Sequence, residues 1–170
     1  DHLGKSAAQF DEAKLRWVNA QHLKAMADDT LAGLVRPFLA QQGVTDVDAA
    51  WLARGCALFK DRCDTTVVLA DWVAKFYADF TSDPQEVAQH VTEAVRPALN
   101  LLADKLATCN WDKSAISAVI KEVLAAVGLK MPQLAMPVRV LVMGTAQTPS
   151  LDSVLELMEK EKVLTRLRGT

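Results

Sequence analysis

The spacing of the apolar residues constrains the fold of this chain more than any other feature of its sequence. Along the 170 residues, apolar side chains recur three and four positions apart, and no stretch alternates apolar and polar residues for long. Three-and-four spacing places side chains on one face of an α-helix, whereas alternation would indicate a half-buried strand. The sequence therefore predicts an all-α fold of about nine helices.

Composition narrows the class of protein further. Apolar residues make up 51% of the chain, which is enough for the core of one large domain or two small helical ones. The longest uncharged apolar run, around Leu141, is far shorter than the roughly 20 residues that cross a bilayer, and residues 1–10 lack the apolar core of a signal peptide. We therefore expect a cytoplasmic protein without membrane contact.

Capping residues mark the ends of several helices. Asp83, followed by Pro84 and by Glu86 three positions after the cap, predicts a helix start with a capping box. Asp112 and Gly128 are expected to begin and end a later helix. Four other helices are expected at Asp11 to about Met26, Asp29 to just before Gly43, Asp46 to about Phe59, and about Pro132 to Met143. Asp64 is expected to cap the fourth helix of the chain, and a helix break is expected near Pro97.

The stretch Asn110-Trp111-Asp112 begins a new helix and suggests a boundary near residue 110. We expect residues 1–10 to be a connector from a preceding part of a longer protein. Residues 11–109 then form a first helical subdomain and residues 110–170 a second one.

Charge is distributed unevenly between the two ends of the chain. Residues 1–128 contain 13 Lys and Arg against 17 Asp and Glu, a net charge of −4, whereas residues 129–170 contain 6 against 4, a net charge of +2. A nucleic-acid-binding protein can be acidic overall if one face is basic. This asymmetry is compatible with a solvated helical surface as well, so it does not indicate nucleic acid by itself.

Residues that would carry catalysis or bind a metal are sparse. The three histidines have no partner at zinc-ligand spacing, and the seven glycines are scattered singly, so we expect neither a metal site nor a phosphate-binding loop. The cysteines Cys56, Cys63 and Cys109 fit neither a metal-ligand pair nor a disulfide framework. Buried, reduced thiols are the favoured interpretation, and a nucleophilic cysteine is the alternative.

One segment, VRVLVMGTAQTPSL at residues 138–151, joins a cation to a helix start. Arg139 lies in an almost wholly apolar run, and Thr148 is expected to be an N-cap with Pro149 at the first helical position. A guanidinium and the N–H groups at a helix N-terminus supply rigid donors for the acceptor atoms of a ligand. The alternative is that Arg139 pairs with a carboxylate and that Thr148 is a simple cap.

Three stretches carry a resemblance to a known family. Residues 130–167 read KMPQLAMPVRVLVMGTAQTPSLDSVLELMEKEKVLTRL, residues 10–23 read FDEAKLRWVNAQHL, and residues 58–65 read LFKDRCDT. Residues 130–167 resemble the C-terminal signature of bacterial glutamyl-tRNA synthetases. Residues 10–23 resemble the segment just after the catalytic core of those enzymes, and residues 58–65 resemble a stretch between these two segments. The resemblance spans about residues 10–168 and implies an α-helical cage of two subdomains that binds the anticodon.

The resemblance assigns roles to four residues. Arg139, Thr148 and Leu151 fall on family positions that meet the first two anticodon bases, Leu151 by apolar contact. Arg62 matches the position that distinguishes the last anticodon base, which is cytosine for glutamate and guanine for glutamine. From the residues alone, Leu151 could equally belong to the core, and Arg62 could pair with a neighbouring aspartate.

Partners and cofactors also follow from the resemblance. It implies a monomer that binds the anticodon loop of glutamate tRNA and makes no contact with DNA. The catalytic signatures HIGH and KMSKS are absent from the sequence, so ATP and Mg²⁺ belong to the catalytic half of the family's enzymes, and no cofactor is expected in this chain. A rival interpretation is a helical protein-interaction domain that retains the fold without binding RNA.

One position departs from the family's pattern. The stretch before the last helix commonly reads LGKER in the family, whereas this chain has MEKEK at residues 158–162, with Glu159 in place of the glycine. Glycine there would permit a positive φ at a helix end. Glu159 therefore predicts a continuous helix or a mildly strained turn.

Overall fold

The computed structural model describes residues 2–169, with the side chains of residue 9 and of residues 11–169. These residues form ten α-helices and one 3-10 turn, and they contain no strand, which confirms the all-α prediction. In chain order the helices are α1 (His2–Ala25), α2 (Asp28–Gln41), α3 (Ala49–Phe59), α4 (Thr66–Ala74), α5 (Pro84–His90), α6 (Arg96–Thr108), α7 (Lys113–Val127), α8 (Met131–Met143), α9 (Leu151–Leu157) and α10 (Lys160–Arg168). The 3-10 turn, Lys60–Arg62, follows α3 directly.

The chain divides into two compact units. The first ends at Ala78 and contains α1 to α4, and the second begins at Asp79 and contains α5 to α10. The boundary expected near residue 110 differs from this division, because α6 packs against both α7 and α10 and so joins the residues on its two sides. Residues 2–10, expected to be a connector, are part of α1.

The core of the first unit lies between α2, α3 and α4. Leu31 and Leu52 are fully buried there, and the ring of Phe59 stacks on Trp72 with 5.1 Å between the ring centroids. Aromatic pairs in such offset arrangements stabilise a core beyond the area that they bury. Four large apolar side chains of this unit are nevertheless exposed: Leu15, Val18, Leu34 and Val68.

The second unit is built around α6, whose Leu99, Leu102 and Leu106 are fully buried at the three-and-four spacing. α7 and α10 pack on this helix, α9 packs on α7, and α5 packs on α8. The unit therefore brings α5 to α8, whose C-terminal half belongs to the segment at residues 138–151.

Two of the four predicted N-caps, Asp83 and Asp112, are confirmed. The Asp83 and Asp112 side chains accept hydrogen bonds from backbone N–H groups in the first turns of α5 and α7, and Gly128 ends α7 with a φ of 72°. The prediction for Asp64 is wrong by one residue. Thr65 caps α4, because its hydroxyl rather than the Asp64 carboxylate accepts the hydrogen bond from the first turn of the helix.

The prediction for Glu159 is also wrong, since the chain there forms neither a continuous helix nor a strained turn. Met158 and Glu159 are extended, with negative φ and with ψ of 145° and 136°, and they separate α9 from α10. A residue with negative φ needs no glycine. The Trp111 Nε1 donates to the carbonyl oxygen of Met158 at 2.8 Å and so stabilises the break.

Candidate RNA-binding site

Arg139 is the only charged residue of α8. Its neighbours Val138 and Val140 are fully buried, whereas Arg139 is half-buried, with its Nε shielded from solvent. An arginine whose stem packs against the protein has less rotamer freedom left to lose when its guanidinium binds a ligand. α8 therefore presents a cation of restricted mobility at the surface of the second unit.

The C-terminal end of α8 is held by donors from three parts of the second unit. The carbonyl oxygen of Val140 accepts from the Gly144 N–H at 2.9 Å and from the Ser82 hydroxyl at 3.2 Å. The carbonyl oxygen of Val142 accepts from Nη1 of Arg166 at 2.8 Å. The last carbonyls of a helix have no partner within it, so these bonds fix where α8 ends and the following loop begins.

Arg166 makes this contact from a largely desolvated position. Its guanidinium lies over the ring of Phe80, 4.7 Å from the centroid. Burial lowers the pKa of Arg166 from its ordinary value, and the nearby Asp79 carboxylate acts in the opposite direction. Because its charge and its donors are engaged by α8 and by residues 79–80, Arg166 supports the site structurally.

The loop at residues 145–150 is held by a carboxylate from α5. Oε1 of Glu86 accepts hydrogen bonds from the Ala146 N–H at 3.2 Å and from the Thr145 hydroxyl at 3.5 Å. The Thr145 Oγ1 in turn accepts from the Gln147 N–H at 3.2 Å. Glu86 was expected to complete the capping box of its own helix, but its carboxylate is directed at this loop instead.

Thr148 is not the N-cap that the sequence predicted. α9 begins at Leu151 with Ser150 in the cap position, and the Ser150 side chain makes no capping hydrogen bond. Thr148 is only 6% exposed, and its hydroxyl donates to the carbonyl oxygen of Pro149 at 2.9 Å. The side chain is therefore buried, and its hydroxyl bonds to Pro149 and not to the first turn of α9.

Leu151 is the first residue of α9 and is 5% exposed. This burial agrees with the alternative that the sequence left open, in which Leu151 belongs to the core. α9 packs against α7, and Val154 and Leu155 of the same helix are fully buried.

Arg62 is exposed and is the last residue of the 3-10 turn that follows α3. Lys60, at the start of the same turn, anchors it to the junction of α1 and α2. Its Nζ lies 3.0 Å from Oδ1 of Asp28 and 3.3 Å from the carbonyl oxygen of Met26. The turn therefore presents Arg62 to solvent on an anchored backbone.

The four predicted site residues lie in different parts of the chain. Arg62 belongs to the first compact unit. Arg139, Thr148 and Leu151 belong to the second unit, on α8, on the loop after it and at the start of α9. The segment 138–151 thus provides the candidate surface of the second unit, and Arg62 is the candidate residue of the first unit.

The buried cysteines do not suit nucleophilic chemistry. Burial raises the pKa of the Cys56 thiol to about 11 and that of the Cys63 thiol to about 12, so neither forms a thiolate near neutral pH. The Cys63 Sγ donates to the carbonyl oxygen of Phe59 at 3.3 Å. This favours the interpretation of these two residues as buried, reduced thiols.

Two further classes of site are absent from residues 2–169. No group of three or more His, Cys, Asp or Glu in this range could hold a metal ion. No helix in the same range is long and apolar enough to cross a membrane.

Sequence reasoning missed the residues that support the candidate surface. Ser82, Glu86 and Arg166 contact α8 or the loop after it, although they are far from it in sequence. Glu86 was noticeable in the sequence because it lies three residues after Asp83, but this spacing indicates a local capping box and not a contact with the loop. The other two look like ordinary polar residues, and only the packing of α5 and α10 on α8 brings them to the site.

Comparison with known proteins places this arrangement in a family. The family model for the anticodon binding domain matches residues 30–170, which is most of the chain. This chain belongs to the anticodon-binding domain family. Such a domain implies tRNA binding, and the match confirms the resemblance seen in the sequence.

Its relatives at high identity are glutamate–tRNA ligases. The chain is 71% identical over 169 residues to that of Albidiferax ferrireducens and 66% identical over 167 residues to that of Polaromonas naphthalenivorans. The alignments cover 99% and 98% of this chain, respectively, and 36% of each relative. The chain therefore spans about a third of the length of these relatives.

Solved structures support the fold. A crystal structure of a glutamate tRNA ligase from Elizabethkingia meningosepticum matches with a TM-score of 0.81 at 20% identity, over 89% of this chain and 30% of that one. The glutamate-tRNA synthetase from Elizabethkingia anophelis matches over the same shares with a TM-score of 0.74. At this level of identity, the likeness concerns the fold of the chain.

Proposed function

We propose that this chain is the anticodon-binding part of a glutamate–tRNA ligase and that it binds the anticodon loop of glutamate tRNA. The observation that carries the proposal is the family match over residues 30–170, joined to 71% identity with a glutamate–tRNA ligase. The ligase reaction, with its ATP and Mg²⁺, is assigned to the part of such enzymes that this chain does not cover. The chain itself needs no cofactor for this role.

The guanidinium of Arg139 can donate hydrogen bonds to a base or a phosphate. The unstacked bases of an RNA loop expose their edges, and a guanidinium offers five donors in a planar fork with no acceptor. Since Arg139 is half-buried within an apolar helix, its fork is more restricted before RNA binds than that of a fully exposed arginine. We assign Arg139 to the first two anticodon bases, which are common to glutamate and glutamine tRNA.

Thr148 and Leu151 are assigned to the same region, although they expose little surface. At 6% and 5% exposure, neither side chain offers a face on which a base could stack. We propose that they form the floor next to Arg139 and contact RNA only at an edge. Their contribution is then mainly to shape the surface, while Arg139 makes the polar contacts.

Arg62 is assigned to the last anticodon base. Cytosine presents two acceptors on its pairing edge, whereas guanine presents two donors and a single acceptor. Because arginine has only donors, guanine would leave donors facing donors. A good bidentate contact of this kind discriminates between bases by about 1–3 kcal/mol.

A binding titration tests this proposal directly. The chain is titrated with glutamate tRNA, glutamine tRNA and an unrelated tRNA, at about 50 mM and about 200 mM salt. We expect the tightest binding for glutamate tRNA, and a fall in every affinity with salt because phosphate contacts release counterions. Equal affinity for all three tRNAs, or no measurable binding at the lower salt, would contradict the proposal.

A further inference from the structure

We infer that Glu86 is a positioning residue for anticodon recognition, which holds the loop at residues 145–150 in the conformation that binds RNA. This inference rests on the proposed function, because it concerns how the surface around Arg139 and Thr148 is kept ready for a tRNA. Glu86 itself lies on α5 and acts through the loop.

The hydrogen bonds at this carboxylate are the first support. Ala146 is almost completely buried, so its N–H needs an acceptor within the protein, and Oε1 of Glu86 supplies one at 3.2 Å. The Thr145 hydroxyl, at 3.5 Å, is directed to the same oxygen. A carboxylate accepts from several donors at once, which a neutral side chain does less well.

A conflict between local and long-range signals is the second support. Glu86 stands three residues after the Asp83 cap, where a glutamate normally reaches back to the cap of its own helix. Here it accepts instead from residues about 60 positions later in the chain. Places where a strong local pattern is overruled by long-range contacts are often functional sites.

The position of the loop is the third support. Residues 145–150 lie between α8, which carries Arg139, and α9, which begins with Leu151, and they include Thr148. They lie outside both helices, and the Glu86 carboxylate accepts hydrogen bonds from Thr145 and Ala146 at the start of the loop. Ordering a loop on binding costs affinity, and a loop that is already held avoids that cost.

The experiment compares three variants of the full chain. Glu86→Ala removes the acceptor, whereas Glu86→Gln keeps an oxygen in the same place and should retain most of the function. Asp83→Ala is the matched control, since it weakens the same helix by removing its cap without touching the loop. Thr145→Val removes the hydroxyl that donates to Glu86 and leaves the sequence of α5 unchanged.

Two glutamate anticodon stem–loops serve as probes, one natural and one with the first two anticodon bases replaced. We expect Glu86→Ala to weaken the natural complex about tenfold, to narrow the affinity ratio between the two probes and to leave the salt slope unchanged, because no phosphate contact is removed. Thr145→Val should narrow the ratio in the same direction. Asp83→Ala should lower thermal stability and leave the ratio as it is in the wild type.

The outcomes separate this inference from the proposed function. If the wild-type chain does not distinguish the two stem–loops, the proposed function fails and the role of Glu86 fails with it. If the wild type distinguishes them and Glu86→Ala or Thr145→Val does so equally well, only the positioning role is overturned. If Glu86→Ala does not fold, Thr145→Val decides in the same way, and a ratio lost in Glu86→Gln would also show that the loop depends on this side chain.

Discussion

The ammonium group of Lys160 lies 2.7 Å from the carbonyl oxygen of Cys109, just beyond the C-terminal end of α6. The same Nζ lies 3.3 Å from the carbonyl oxygen of Ala107 and 5.5 Å from the centroid of the Trp111 ring. A cation at this end of a helix satisfies its last carbonyls and interacts favourably with the helix dipole. Lys160 therefore connects the start of α10 to the end of α6.

The first prediction concerns stability. Lys160→Met keeps the aliphatic stem and removes the donors, so two carbonyl groups lose a charged partner in a half-buried place. We expect the free energy of unfolding to fall by about 1–3 kcal/mol, measured by urea denaturation. Lys121→Met, at an exposed position of α7, is the control and should change it by less than about 0.5 kcal/mol. Equal stability of the two variants would show that the Lys160 contacts contribute nothing.

The features that could be predicted from sequence are those decided within a few residues. Asp83 and Asp112 cap their helices through hydrogen bonds to N–H groups two or three positions away, and Gly128 ends α7 through its own backbone conformation. Such interactions depend on little beyond the local chain, so the sequence pattern was sufficient to find them.

The features that could not be predicted depend on packing between helices. Thr148 follows the pattern of an N-cap, but its side chain is buried, so its hydroxyl bonds to Pro149 instead. Glu86 follows the pattern of a capping box, but α5 packs on α8 and brings the carboxylate to the loop. Of the candidate site, Arg139 was identifiable because a lone cation in an apolar run is conspicuous, whereas the burial of Leu151 depends on packing.

The second prediction concerns alkaline pH. Burial raises the folded-state pKa of Cys56 from 9.0 to about 11 and that of Cys63 from 9.0 to about 12. Below pH 9 both thiols are protonated in the folded and the unfolded chain, so their contribution to stability is fully present. As the pH rises from 9 towards 11 and 12, the unfolded chain loses these protons first. We therefore expect the free energy of unfolding to fall over this range.

The double variant Cys56→Ala, Cys63→Ala is the comparison for this prediction. Its stability at neutral pH should be lower than that of the wild type, because two buried side chains are truncated. Above pH 9, the free energy of unfolding of the double variant should nevertheless fall less steeply with pH, since the two proteins differ only in these two thiols. Identical slopes in urea denaturation series would mean that the two thiols do not titrate differently on unfolding.

The third prediction concerns Arg139. If it holds a base or phosphate common to both tRNAs, Arg139→Gln should weaken the binding of glutamate and glutamine tRNA by a similar factor, about tenfold for the loss of a charged hydrogen-bonding group. Lys121→Gln removes one positive charge from an exposed position of the same unit and should have a much smaller effect. A loss confined to one tRNA, or equal losses in the two variants, would contradict the assignment.

The last prediction is that Arg62, unlike Arg139, discriminates between glutamate and glutamine tRNA. Glutamine supplies both a donor and an acceptor and can pair with guanine, so Arg62→Gln should narrow the affinity gap between glutamate and glutamine tRNA. The fold should survive, because Arg62 is exposed and lies at the end of a 3-10 turn that Lys60 anchors. Arg54→Gln, at another exposed position of the same unit, controls for the lost charge and should leave the gap unchanged. If Arg62→Gln lowers both affinities equally, Arg62 contacts a phosphate. If it changes neither, Arg62 does not contribute to tRNA binding, and in both cases its discriminating role is wrong.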